Sequence, residues 1–498
     1  MDDTGAPSQP QSSQIPDLVR IGSVSTDTAI GVQTDILDPV IFSESEARFV
    51  LDNKGILHSN SRITFSTDGL VAPDNNGRAF FPANIGVHSL IQRCALRIGT
   101  KTVCEIEDYA HFSAYETTFL PPDSIKEREG VMSGRMMSIA PTLTERSASY
   151  ASASNSASIT ESLTEARSIQ VDNGTCATLQ AGTKEYWKPI NNASVPDPTR
   201  VIFDYQKESN TPTYSILLAD LFPFLKTNQL PLFMINEQVS IHLTFTPRRS
   251  GTDSLRIVST NGATITKDAT LVRNDCQMIA DYVFYPQEMM EQYRQANSNI
   301  QFNYVDYQFV KRTVSPNEFS GGLIQNVGGA GRIVNKVFVG VQHTDDKDQS
   351  LLNNYIAEGP AVSTTTTGVV KTNLKYNDNF LYPIDVSNDA RHYHNVFMSE
   401  GRVPYISRDL YRGEGQLATD NATTKGAVEF EDYPANTGLR QKFFYTAYRL
   451  NRGERVNSRG LELYDTRTTM AGSSTFRCWI QIMKVASLRD GMFSMSFA

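Results

Sequence analysis

The sequence predicts an all-β chain of two consecutive sandwiches, with only short helices in the loops. Three observations predict it. Runs rich in Val, Ile, Thr, Tyr and Phe recur from about residue 35 onward, divided by clusters of Asn, Asp, Gly and Pro. The chain has 498 residues, more than one ordinary core spans. β domains often exceed about 200 residues, so two domains are expected. Each half also carries about eight strand signals, the jelly-roll count for two packed sheets, though the count alone does not separate a jelly roll from other sandwiches.

Residues 1–30 are rich in Ser, Gln, Pro and Asp and poor in apolar side chains. They read as a flexible arm that orders on a partner. The first sandwich is expected over 31–285. Within it, SRITFSTDGL reads as a strand, and HSLIQRCALRIGTKTVCEI reads as a hairpin turning at Gly99. Cys94 and Cys104 lie symmetrically about that turn. They either face each other across the ladder or remain two reduced thiols. The aromatics of DYAHFSAYETTF have acidic or neutral neighbours, which points to core or interface packing rather than base stacking.

Residues 140–170, APTLTERSASYASASNSASITESLTEARS and its flanks, break the strand texture. This Ser/Ala-rich insertion has too few large apolar groups to be core, and it reads as a long surface loop. TRVIFDY returns to strand character. In LLADLFPFLKTNQLPLFMINEQVSIHLTF, helical spacing of Leu217, Leu218, Leu221, Phe222 and Leu225 is cut short by Pro223 and Pro231. A strand follows, because Val239, Ile241, Leu243 and Phe245 alternate with Ser240, His242 and Thr244. The short apolar helices are expected to cap one end of a sandwich. In STNGAT, Asn261-Gly262 is a strong hairpin signal, because both central residues of such a turn need positive φ.

A strand over 276–285 meets Pro286. QEMMEQYRQAN then reads as a helix, with Glu288 and Glu291 favourable near its N-terminus. Residues 286–299 are taken as the linker and 300–498 as the second sandwich. NKVFVGVQ places Val337, Val339 and Val341 on one face. KTNLKYND, HNVFMSE, RQKFFYTAYRL, GLELYDTR and TFRCWIQIMKVAS are the further strands expected there.

Composition narrows the function. A net charge of −8 argues against a generally nucleic-acid-binding surface. The five cysteines (Cys94, Cys104, Cys176, Cys276 and Cys478) show no CxxC or CxxH spacing, so zinc is not expected. No apolar run reaches the roughly 18 residues of a membrane span, and the N-terminus lacks secretory signal features. The sequons at Asn173, Asn192 and Asn421 are then chance occurrences. His392 and His394 would share a face on a strand, but no third ligand has diagnostic spacing. His88 and His111 read as ordinary hydrogen-bonding residues. VGGAGRIVNK lacks the phosphate-loop pattern and precedes a strand, so it reads as a turn. No acid/base pair or nucleophile motif stands out. No enzyme activity, catalytic residue, cofactor or metal site is expected.

Several stretches carry a resemblance, in order along residues 35–498. LLADLFPFLKTNQLPLFMINEQVSIHLTF resembles the late part of the first jelly roll in double jelly-roll major capsid proteins. PANIGVHSLIQRCALRIGTKTVCEIEDYAHFSAY is similar to the early strands of those from polinton-like viruses and virophages. CQMIADYVFYPQEMMEQYRQ resembles the passage between rolls. GRIVNKVFVGVQ, NLKYNDNFLYPIDVSNDARHYHNVF and RLNRGERVNSRGLELYDT resemble successive pieces of the second roll. The Ser/Ala-rich insertion and the arm have no counterpart in that pattern.

The resemblance implies a virion protein, assembled inside the host cell, whose homotrimers form pseudo-hexameric capsomers tiling the icosahedral shell of a double-stranded DNA virus. Its partners would be neighbouring capsomers, with penton and minor capsid proteins met through the arm and loops. Specific nucleic-acid binding would not be part of the role. Exposed aromatics and long loops also fit a viral β-sandwich adhesin or minor surface protein that binds host glycans. An enzyme on a β scaffold, such as a glycan hydrolase, has only abundant carboxylates and aromatics in its favour.

Overall fold

The computed structural model describes residues 31–68, 79–82, 85–120, 128–129, 132–134, 213–249, 254–259, 268–297, 299–343, 355, 357, 361–362, 369–401, 439–440, 444–450, 453–468, 470 and 472–497. The expected arm at 1–30, the insertion at 140–170, TRVIFDY, the Asn261-Gly262 turn and the three sequons lie outside them.

The first sandwich is built from two antiparallel sheets. One runs in the order Gly31–Leu37, Gln277–Phe284, Arg62–Asp68, Thr270–Leu271. Ile56–Leu57 adds to the Gln277–Phe284 strand, and Thr213–Leu217 adds to Arg62–Asp68. The other runs Ile41–Phe42, Glu46–Leu51, Val239–Phe245, Ile91–Ile98, Lys101–Glu107. Period two does the sorting. Val239, Ile241, Leu243 and Phe245 are buried, and Phe49 and Leu51 are buried beside them. The hairpin turns at Gly99, whose φ of 59° suits glycine, and a Cβ there would lie 2.6 Å from Glu237 Oε1. Across that hairpin Cys94 stands opposite Ile106 and Cys104 opposite Leu96. The two cysteines are therefore not a facing pair, and both thiols are free and buried.

The proline-punctuated segment forms two short helices, Leu218–Leu221 and Pro223–Thr227, then a 3₁₀ turn at Leu232–Met234. Expected as an end cap, it reaches two places. Leu221 lines the interior of the first sandwich with Ile216 and Leu243. Phe224 packs on Phe302 and Tyr304 from the other half of the chain, with ring centroids 5.6 and 5.0 Å away.

A helix, Gln287–Ala296, follows Pro286. The second pair of sheets then begins. One has the order Asn299–Val314, Ser474–Arg489, Val334–His343, Tyr445–Arg449, with Met492–Phe497 added to Ser474–Arg489. The other runs Leu323–Gly328, Leu461–Arg467, Val370–Tyr376, Asn379–Phe380. The strands Asn299–Val314 and Ser474–Arg489 pair without a break from Asn299↔Arg489 to Val314↔Ser474. Setting aside strands of two residues, eight remain in each sandwich among the described residues. The VGGAGRIVNK stretch is a turn between the Leu323–Gly328 and Val334–His343 strands.

One expected strand is a helix. HNVFMSE belongs to Asp389–Glu400, capped by the Asn388 side chain, which accepts from the Arg391 N–H, and stopped at Gly401 with φ 67°. The cap and the stop were present in SNDARHYHNVFMSEG, and the intervening period is helical: His392 and Val396 are buried four residues apart. The helix turns His392 and His394 to different sides. His392 lies inside, with Nε2 3.2 Å from the Val370 carbonyl oxygen, while His394 is exposed. The imagined two-imidazole face does not exist.

Candidate functional site at the seam between the sandwiches

The Ser474–Arg489 strand is buried on both faces along much of its length, which is why TFRCWIQI reads as a near-continuous apolar run. Phe476, Cys478, Ile480 and Ile482 join the core of the second sandwich with Val337, Val339 and Val341. Trp479 and Phe338 point the opposite way and belong to an apolar cluster that runs from the first sandwich into the second. The Tyr109–Thr117 helix meets them there. Tyr115 stacks on Phe338 at 3.9 Å with the rings 7° from parallel, and Phe338 stacks on Trp479 at 5.2 Å. Phe112 completes the group against Tyr307 at 4.7 Å. The aromatics of DYAHFSAYETTF are thus interface packing, one of the two readings that their acidic or neutral neighbours suggest.

Two sheet edges meet at this seam. Lys101–Glu107 and Asn299–Val314 are each the last strand of their sheet. An edge strand leaves alternate N–H and C=O groups without ladder partners. Here side chains supply them. Tyr304 Oη donates to the Val103 carbonyl at 2.8 Å, the Glu105 N–H donates to Asp306 Oδ1 at 3.1 Å, and Trp479 Nε1 donates to the Glu107 carbonyl at 3.2 Å.

Charges are buried alongside. Lys484 Nζ lies 2.5 Å from Asp306 Oδ2. Burial pushes the Asp306 carboxyl above its ordinary range, and Lys484 opposes that push. Asp108, in the left-handed region at φ 51°, precedes the Tyr109–Thr117 helix. Its carboxylate accepts from Arg477 Nε at 2.9 Å and meets His111 Nδ1 at 2.7 Å. Burial raises the Asp108 pKa, but His111, Arg477 and Lys311 outweigh it and hold the group well below the usual carboxylate range. His111 also reaches Gln342 Oε1 at 3.0 Å, and His88 reaches the Tyr109 hydroxyl at 2.8 Å; both histidines make ordinary hydrogen bonds as expected. Lys336 and Glu400 form a buried pair at 2.6 Å, and Tyr115 Oη donates to the same carboxylate at 2.5 Å.

The Asp490-Gly491 turn docks on the loop before the Val239–Phe245 strand: the Asn236 N–H donates to the Gly491 carbonyl at 2.9 Å, and the Phe493 N–H donates to Glu237 at 2.7 Å. Sequence reasoning missed Asp108, Asp306, Arg477 and Glu400. The available signal was a charge set inside an apolar run, as in YVDYQFV and TFRCWIQI, since a buried charge demands a partner. Among the described residues no three His, Cys, Asp or Glu side chains gather as a metal site. No described helix is long and apolar enough to cross a membrane.

This arrangement holds two sandwiches at a set angle. It defines a class by fold, the double jelly roll. Compared with solved structures, the chain is similar to the mavirus major capsid protein, with TM-score 0.50 and 10% identity over 100% of this chain and 96% of that one. It is similar also to a chain in the quasi-atomic model of the PBCV-1 virus capsid, with TM-score 0.50 and 8% identity over 96% of this chain and 98% of that one. At these identities the likeness is one of fold. No protein-family model and no curated protein sequence matches the chain.

Proposed function

We propose that this chain is a major capsid protein of a double-stranded DNA virus. In this reading it acts as a homotrimer, each trimer a pseudo-hexameric block of the icosahedral shell, and it resides in the virion. The observation that carries the reading is the end-to-end match in fold with the mavirus major capsid protein, which spans both sandwiches and the connection between them. Residues 31–285 and 300–498 are then the two rolls, joined by 286–299. The arm at 1–30 and the surface loops serve penton and minor capsid proteins.

The outer surfaces support association. Val32 and Ile36 stand 62% and 63% exposed on the edge strand of the first sheet. On the fourth sheet Ile324 and Phe380 are 57% and 51% exposed, and Phe380 lies edge-on to Tyr464 at 4.9 Å. Apolar groups left in water on two flanks favour contact with further copies. A permanent interface of roughly 2,000 Å² or more would be formed mainly from such area. The role is structural and requires no catalysis.

Electron microscopy of the purified full-length chain tests the proposal. Three-fold particles with a pseudo-hexagonal outline are expected. Monomers persisting at high concentration would sink it, and glycan binding by such monomers would favour the adhesin reading.

A further inference from the structure

The outward face of the second sheet carries an unusual cross-strand row. Ile41, Arg48, His242, Ala95 and Glu105 stand opposite one another across five strands. Arg97 and Arg93 flank the row, opposite Ser240 and Thr244 on the same face. Residues directly opposite have Cβ atoms about 5 Å apart, and diagonal neighbours about 7 Å, so three guanidiniums surround one imidazole. The local field is strongly positive: burial first, then Arg97, Arg48 and Arg93, push the His242 pKa down to about 4.

Counter-charge on this face is uneven. Arg93 is paired with Glu105, and Glu46 and Glu107 share its row. Arg48 donates to the neutral amide of Gln238 at 3.2 Å. Among the described residues neither Arg48 nor Arg97 forms an ion pair, and the Nε of each is buried with no hydrogen-bond partner. A guanidinium is a planar fork of donors, and one with a buried, unmatched Nε is a group awaiting an acceptor.

We propose that this face is a docking surface for carboxylates of a second copy of the same chain. The inference rests on the shell reading above and names the surface by which copies meet. Three features favour this occupant. The chain carries a net charge of −8, so a second copy brings excess carboxylate to the two guanidiniums, Arg48 and Arg97, that lack counter-charge. The row runs into exposed apolar side chains, Ile41 at 41% and Val40 at 68%, and arginine beside exposed aliphatic groups is the composition of a protein interface. Nucleic acid fits poorly. Duplex binding draws on about 6–10 phosphate contacts, whereas only Arg48 and Arg97 are unmatched here. No Phe, Tyr or Trp stands in the row or its flanking positions to stack a base, and the one imidazole is ringed by guanidiniums.

The test is sedimentation velocity of the full-length chain and of R48E/R97E across protein concentration, at 50 and 500 mM NaCl. For the native chain, self-association is expected to weaken at least tenfold at the higher salt. R48E/R97E should stay monomeric at concentrations at least tenfold above the native midpoint, with a native far-UV circular dichroism spectrum confirming that it folds. R48K/R97K, which keeps charge but loses the fork, should fall between. A native chain that assembles with no salt dependence, or an R48E/R97E chain that assembles like it, overturns this inference and leaves the shell reading intact. A native chain that stays monomeric overturns both. Binding of a short DNA duplex that is lost in R48E/R97E while assembly persists overturns the choice of occupant.

Discussion

Ile480 and Trp479 are neighbours on one strand and point into different chemistries. Ile480 enters the interior of the second sandwich, where Val337, Val339, Val341, Leu374, Leu461 and Leu463 fill space. Trp479 enters the seam, where phenylalanines pack among large side chains whose polar tips have assigned partners: Tyr304 on Val103, Tyr115 on Glu400, Trp479 itself on Glu107. Aliphatic packing is non-directional and needs mainly volume. Hydrogen bonds and ion pairs have fixed lengths and angles, so they select one orientation out of many greasy ones. The interior makes each sandwich stable; the seam sets the angle between them. The shell block proposed above would need both.

The sharpest way to break this comparison is to truncate each neighbour in turn. Trp479→Ala removes a fully buried ring and orphans the Glu107 carbonyl, at a cost of about 5 kcal/mol in urea unfolding. If the seam couples the two sandwiches, one transition shifts as a whole. A transition that splits in two would show the halves to be independent. Asp306→Ala comes next, since it leaves Lys484 charged and unpaired at the seam; about 3–4 kcal/mol is expected. The double replacement Asp306→Leu/Lys484→Met should regain most of the stability while loosening the angle, read as a broader distribution of particle shapes.

Acid offers a third probe, aimed at the interior. Burial holds His392 down to about 4, against an ordinary value of 6.5. The unfolded chain therefore takes up a proton where the folded chain does not. Stability is whole above about pH 6.5 and declines as pH falls toward 4, by on the order of 3 kcal/mol from this residue. His392→Gln, which keeps a donor for the Val370 carbonyl, should flatten that part of the pH profile of urea midpoints. The smallest effect belongs to Ile480→Val, at about 1 kcal/mol with no change in particle shape. A shape change there would blur the division between interior and seam.

Much of the fold was legible locally. Strict alternation placed Val239–Phe245, Pro223 and Pro231 kept the preceding helices short, and Pro286 with its acidic follow-on marked the Gln287–Ala296 helix. Each of these follows from period, propensity and backbone restriction over a few residues, which is what a linear string records. The Asp389–Glu400 helix was legible too, through the Asn388 cap and the Gly401 stop.

What only the tertiary structure decided is which surface each face meets. Period two says that Trp479 and Ile480 diverge, and nothing in the string says that one finds the Tyr109–Thr117 helix and the other Val337. Asp108 and Arg477 are 369 residues apart, and no local rule joins them. Their partnership exists because two sheet edges came together first and left buried charges that had to be matched. Local patterning determined the strands. The docking of edge on edge decided the seam, because desolvation is a property of the assembled surface and not of any segment alone.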